Sequence, residues 1–175
     1  CDWSSDVCSS DLLVDDARSQ VAALIGAEPS EVLFTSGGTE SDNIAVRGVA
    51  EALEQGGRRH LITSAIEHEA VLNTIKALAK RGWHVTLLPV DESGVLAPAT
   101  LESALTDSTA LVSVMHANNE IGTVQPIREL SALAHQRGAL FHTDAVQSAG
   151  KIPIDVSALD VDLLTLSAHK FYGPK

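Results

Sequence analysis

A three-layer α/β/α architecture around a mostly parallel sheet is expected for this chain on two grounds. Short apolar segments alternate with longer helical patterns along most of its length, which is the rhythm of successive βαβ units. Glycine or proline also marks many of the junctions, closing one element before the next begins. Apolar residues at Val14, Ala17, Val21, Leu24 and Ile25 predict a helix over Val14–Ile25, ended by Gly26. Glu31–Thr35 reads as an apolar strand running into Ser36-Gly37-Gly38-Thr39. A helix is expected over Glu40–Gln55, stopped by Gly56-Gly57, and a strand over His60–Thr63. Val71, Leu72, Ile75, Leu78 and Ala79 predict a helix over His68–Arg81, stopped by Gly82. Strand Trp83–Val90 leads to a turn at Asp91–Gly94, and a helix near Pro98–Leu105 precedes strand Thr109–Met115. Helix Pro126–Arg137 has proline at its start and Gly138 past its end. Strands Ala139–Thr143 and Asp162–Ser167 complete the pattern.

Composition narrows the function. The 175 residues are 45% apolar and 20% charged, an ordinary globular balance. Twelve Lys+Arg against 23 Asp+Glu give a net charge of −11, which disfavours binding to a phosphate backbone. Aromatic residues are 3% of the chain, too few for a base-stacking platform. No apolar run is long enough to span a bilayer. No HExxH is present and the seven histidines are scattered, so no metal site is expected.

Residues 1–12, CDWSSDVCSSDL, stand apart. They lack periodicity and resemble one reading frame of a sequencing-library adapter, so they are read as a non-native segment that packs poorly, Trp3 included. Cys1 and Cys8 have no CxxC spacing. Residues 13–175 then contain no cysteine, which is compatible with the cytoplasm. The abrupt ends suggest truncation on both sides. Residues 13–175 are taken as one partial domain.

In open α/β sheets ligands bind beyond the carboxyl ends of strands, so the residues following each expected strand are the candidates. Gly37 and Gly38 let the backbone approach a ligand, Thr39 could cap the next helix with Asp42 at the box position, and the helix start suits a phosphate. A plain strand-to-helix turn is the bland alternative. His68 opens a helix, where a histidine is usually solvated or capping. His116-Ala117-Asn118-Asn119-Glu120 forms a polar pocket wall or an Asn-based turn. Asp144, directly after an apolar strand, is either a helix cap or the partner of a protonated ligand nitrogen. Lys170 lies in Ser167-Ala168-His169-Lys170-Phe171-Tyr172. It is a surface lysine or a desolvated amine able to capture an aldehyde. Together these residues suit pyridoxal phosphate, whose phosphate, ring nitrogen and aldehyde need such a helix start, a carboxylate and a lysine.

The blocks FTSGGTESDN, IEHEAV, MHANNEIGTVQP, FHTDAVQSAGK and SAHKFYGPK resemble the cysteine desulfurases of nitrogenase and iron–sulfur-cluster assembly, class V members of the fold-type I pyridoxal-phosphate enzymes. The resemblance covers essentially all of residues 13–175. It implies a partial large domain of the pyridoxal-phosphate-dependent transferase fold. It implies that Lys170 holds the cofactor aldehyde and acts as base, that Asp144 pairs with the ring nitrogen, and that His68 stacks on the ring. Gln147 and Asn119 match residues near the ring hydroxyl and the substrate. Gly38, Thr39, Ser167 and His169 match phosphate and cofactor contacts, with Gly38 standing where alanine is common. The implied substrate is L-cysteine, converted to L-alanine while sulfur passes through an enzyme persulfide to a scaffold or carrier protein. A homodimer is implied for the full-length parent. The family's nucleophilic cysteine and carboxylate-binding arginine lie beyond the lysine and have no counterpart here, so the piece alone is expected to be inactive. Another class V lyase or transaminase, or an inactive cofactor-domain fragment, is the alternative.

Overall fold

The computed structural model describes residues 9–173; Cys1, Cys8 and the expectation for Trp3 lie outside them. The chain runs α1 (Ser9–Ile25), α2 (Gly38–Leu53), β1 (His60–Ser64), α3 (Glu69–Lys80), β2 (His84–Leu88), α4 (Pro98–Ala104), β3 (Thr109–Ser113), α5 (Ile127–Gln136), β4 (Leu140–Asp144), α6 (Val156–Leu159) and β5 (Leu163–Thr165). Short 3₁₀ turns occupy Pro29–Glu31, Glu54–Gly56 and Ala168–Phe171. The five strands pair in the order β2-β1-β3-β4-β5, and every pairing is parallel.

Strand alternation divides the interior into two layers. Leu61 of β1 and Leu111 of β3 pack with Val46, Val71, Ile75 and Trp83, on the side of α2 and α3. Their neighbours Ile62 and Val112 pack with Leu101, Ile127, Leu130 and Phe141, on the side of α4 and α5. Adjacent residues thus serve opposite layers. Strands buried on both faces read as continuous apolar runs, which is why periodicity found most of them. In α3 the buried Val71, Ile75 and Leu78 recur at helical spacing, and in α5 Ile127, Leu130 and Ala134 do so.

Three expectations need correction. Residues 31–35 are not a strand: Glu31 closes a 3₁₀ turn, and residues 32–35 have no ladder partner among the described residues. Leu33 and Phe34 are 68% and 45% exposed. The segment is instead tied to α1, whose Arg18 guanidinium donates to the Val32 carbonyl and lies 5.1 Å from the Phe34 ring centroid. Residues 9–12 belong to α1 although they carry no periodicity, because the helix is continuous through Ile25. Leu12 and Leu13 remain exposed. The connection after β4 contains one turn of helix, α6, where none was expected; the Asp155 carboxylate caps it by accepting the Ala158 N–H at 2.9 Å. Among the described residues no helix is long and apolar enough to cross a membrane.

Candidate cofactor pocket

The strand order reverses between β1 and β3, and the crevice beyond the carboxyl ends there is where an open parallel sheet holds a ligand. A cavity of about 420 Å³ lies at this edge. Gly38, Thr39, His68, Asn119, Asp144, Gln147, Ser167, His169 and Lys170 all line it, joined by Asp42, Met115 and Val146. A second, larger and mainly apolar cavity of about 840 Å³ opens between α1, residues 31–41 and the β5 end, and shares Gly38, Thr39, Ser167 and His169 with the first. The titratable groups that could do chemistry face the smaller one.

Local hydrogen bonds explain how each wall is set. After β1, the Glu67 carboxylate reaches across to β3: its Oε1 accepts the Met115 N–H at 2.9 Å and the Ser64 hydroxyl. This clamp fixes the turn that delivers His68. His68 caps α3, its Nδ1 accepting the Ala70 N–H at 3.2 Å. Asn118 donates to the Ile66 carbonyl at 3.0 Å and accepts the N–H groups of Glu120 and Ile121. That Asx turn presents exposed Asn119 to the cavity. At the start of α2, the Glu40 carboxylate accepts the Ser36 N–H, and the Thr35 and Ser41 hydroxyls meet at 2.7 Å. Gly37 is the N-cap and Thr39 lies inside the helix, so Thr39 does not cap and Asp42 is no capping-box partner. The helix begins two residues earlier than the sequence suggests, because glycine accepts the cap conformation itself.

Asp144 is the last residue of β4 and is buried; its Oδ1 accepts the Val146 N–H at 2.9 Å. Burial raises its pKa, opposed by that N–H and by the charge of His68. The turn after it is braced by His116, whose Nδ1 meets the Ser148 hydroxyl at 2.9 Å and whose pKa burial lowers. Beyond β5, the Ser167 hydroxyl and His169 Nδ1 lie 2.9 Å apart. Lys170 is exposed, not desolvated as a buried amine would be. It sits on the single turn after the edge strand, where no described element covers it.

Sequence reasoning passed over Asp42, Glu67, Met115 and Val146. Asp42 was visible only as a helix-start acid and Glu67 only as the neighbour of His68. Their burial depends on α2 and the β1–α3 turn packing onto β3, β4 and β5, contacts remote in sequence.

The donor set fits pyridoxal phosphate. The first turn of α2 with Thr39, Ser167 and His169 offers N–H, hydroxyl and imidazole groups to a dianion. Gly38 leaves close access: a Cβ there would lie 3.0 Å from Val146 Cγ2 and 3.5 Å from Ser167 Cβ. Asp144 offers a carboxylate to a cationic nitrogen, and Lys170 an amine to a carbonyl carbon.

The chain matches the family described as aminotransferase class-V over residues 9–175. It is 54% identical to a cysteine desulfurase IscS of Dictyoglomus turgidum over 162 residues, which is 93% of this chain and 41% of that protein. Among solved structures, a NifS-like protein superposes with a TM-score of 0.92 at 44% identity, over 95% of this chain and 46% of its own. SspA in complex with cysteine also superposes with a TM-score of 0.92, at 42% identity, over 99% of this chain and 50% of its own. The chain therefore spans half or less of the length of these relatives.

Proposed function

Because the chain belongs to the class-V aminotransferase family, we propose that it is the cofactor-binding part of a pyridoxal-phosphate-dependent cysteine desulfurase. The observation that carries this reading is the convergence of Lys170, Asp144, His68 and the α2 start on one cavity, in a chain 54% identical to a named desulfurase. The parent converts L-cysteine and a protein thiol to L-alanine and a protein persulfide. Its sulfur then passes to a scaffold or carrier protein for iron–sulfur assembly. The same reading makes the parent a cytoplasmic homodimer.

Thr39, Ser167, His169 and the first turn of α2 bind the cofactor phosphate. Asp144 would hold a proton on the ring nitrogen, and His68 would face the ring. Gln147 and Asn119 orient the ring hydroxyl and the substrate side. Bound pyridoxal phosphate supplies an electrophilic carbon and an electron sink. Lys170 Nζ would hold that carbon, and the same amine would serve as base toward the substrate Cα. Sulfur transfer needs a thiolate. Residues 13–175 hold no cysteine, so by this reading the thiolate comes from elsewhere in the parent, and residues 13–175 alone bind cofactor without releasing sulfur.

Borohydride reduction of the chain with pyridoxal phosphate, followed by peptide mass analysis, tests the pocket. The expected adduct sits on Lys170 and disappears in Lys170→Ala. Adducts spread over other lysines, unchanged by that substitution, would refute it. For the parent, alanine formed from L-cysteine, with sulfide released when a reducing thiol is added, is the expected result, and turnover of other amino acids instead would favour a different class V reaction.

A further inference from the structure

We propose that Asp42 is a buried carboxylic acid that stays neutral beside Asp144, leaving Asp144 as the one ionised carboxylate facing a cationic ligand nitrogen. The ligand's identity rests on the reading above; the assignment of the proton does not.

The two acids have opposite surroundings. Asp42 lies on α2, is 1% exposed and lines the cavity, yet its Oδ1 has no hydrogen-bond partner. Burial raises the pKa of Asp144 too, but its Oδ1 accepts the Val146 N–H and the charge of His68 favours its ionised form, so the rise is opposed twice. A carboxylate without a donor in a dry site is costly, whereas one with a backbone donor is not.

The nearest base does not rescue Asp42. His142 Nε2 is 3.7 Å from Asp42 Oδ1, beyond hydrogen-bonding distance. Both ring nitrogens are already engaged, Nδ1 with the Ser113 hydroxyl at 2.9 Å and Nε2 with Thr165 Oγ1 at 3.0 Å. The ring is fully buried, and burial lowers its pKa to about 4, so it is neutral. The other titratable groups about the cavity are Glu67 and His68 from the β1–α3 turn, Asp144 of β4, and His169 and Lys170 after β5. Glu67 is another buried acid whose own pKa is raised to about 8, so it offers Asp42 no compensating charge. His68, His169 and Lys170 are exposed at the rim, where solvent weakens their pull. Burial, first, and the charge of Asp144 raise the Asp42 pKa and outweigh the Thr165 hydroxyl, which pulls it down. Two acids whose environments push them apart in this way divide the labour between a charge and a neutral group. A pocket with one net charge on its floor matches one cationic nitrogen; a second charge would remain unpaired when that nitrogen is bound.

Infrared spectra of the ligand-free chain, labelled with ¹³C at aspartate carboxyls, locate the proton. Near neutral pH, where exposed carboxylates are ionised, the wild type is expected to show one protonated aspartate. Asp144→Asn keeps that band and Asp42→Asn loses it. A band that survives in Asp42→Asn places the proton on Asp144 and overturns the proposal; where Asp42→Asn fails to fold, loss of the band from Asp144→Asn at about pH 5 does so, because burial alone keeps Asp42 protonated there once the Asp144 charge is gone. Equilibrium binding of pyridoxal phosphate, followed by absorbance, gives the second arm. Asp42→Asn is expected to bind within about threefold of wild type and Asp144→Asn at least about tenfold more weakly. A comparable tenfold loss in Asp42→Asn would make Asp42 the charged partner and overturn the proposal. Failure of the wild type to bind, with the infrared pattern intact, would remove the cofactor reading and uphold the proton assignment.

Discussion

Glu67→Gln separates a structural clamp from a charge. Glu67 is 6% exposed, and burial pushes its pKa from 4.5 up to about 8, with Asp144 and Asp42 adding to the rise and the Ser64 and Met115 hydrogen bonds opposing it. The folded protein therefore holds a proton at Glu67 that the unfolded chain gives up above pH 4.5. For a raised carboxyl pKa, the contribution is fully present below the unfolded value and is lost as pH rises toward the folded one. The slope is about 1.4 kcal/mol per pH unit, so about 3 kcal/mol disappears between about pH 4.5 and 7. Glutamine keeps Oε1 as acceptor for Ser64 and Met115 but does not titrate. Its amide replaces Oε2, which has no hydrogen-bond partner. That leaves a cost of about 1–3 kcal/mol that is independent of pH. The variant is therefore compared with wild type across pH rather than at one pH. Urea unfolding followed by circular dichroism at about pH 5 and 7.5 should show the variant gaining about 3 kcal/mol on wild type over that interval. Parallel stability curves would mean that Glu67 is ionised in the folded chain and would refute the reasoning.

Gly150→Ala places a Cβ at 2.8 Å from Phe171 Cβ at a backbone φ of +72°. It should cost about 1–2 kcal/mol in urea unfolding, and should also lower the yield of reduced cofactor adduct by displacing the turn that carries Lys170. Proton-correlated ¹⁵N spectra of the imidazoles should show His142 neutral down to about pH 4. His135 should titrate above the ordinary histidine range; burial pulls it down, but the hydrogen bond to Asp162 and the charges of Asp162 and Asp160 outweigh that. Asp162→Asn should therefore lower the His135 pKa and remove stability that is present below the unfolded histidine value of 6.5 and lost as pH rises through the folded one; an unchanged His135 titration would contradict the assignment.

Elements buried on both sides were legible because burial leaves a one-residue-deep record: Leu61 and Ile62 are both apolar since each meets a different helix layer. The same rule misled at Val32–Phe34. An apolar triplet is consistent with a strand, but a strand needs a partner, and here the aromatic ring meets Arg18 instead. Residues at strand ends could be proposed as a site because topology alone puts them together. The buried acids Asp42 and Glu67 could not, since a carboxylate reads as surface until the packing around it is known. Lys170 shows the converse: an amine between an apolar strand and an aromatic pair in sequence is exposed in space.

The strand order carries a consequence for how the molecule is made. β1 first meets β2, with His60 opposite His84; β3 then joins the free side of β1, β4 joins β3, and β5 joins β4. Each strand leaving the ribosome finds its edge already synthesised, and none has to be inserted between two others. Every pairing nevertheless closes a long crossover before it is rewarded, the longest from Ser64 of β1 to Thr109 of β3, which makes parallel sheets slow to form. Synthesis from the amino terminus sets the order of assembly, and the ligand crevice opens at the single step where growth changes sides. The last arrivals at that crevice, Ser167 to Lys170, complete it only after the β4 carboxylate is already in place.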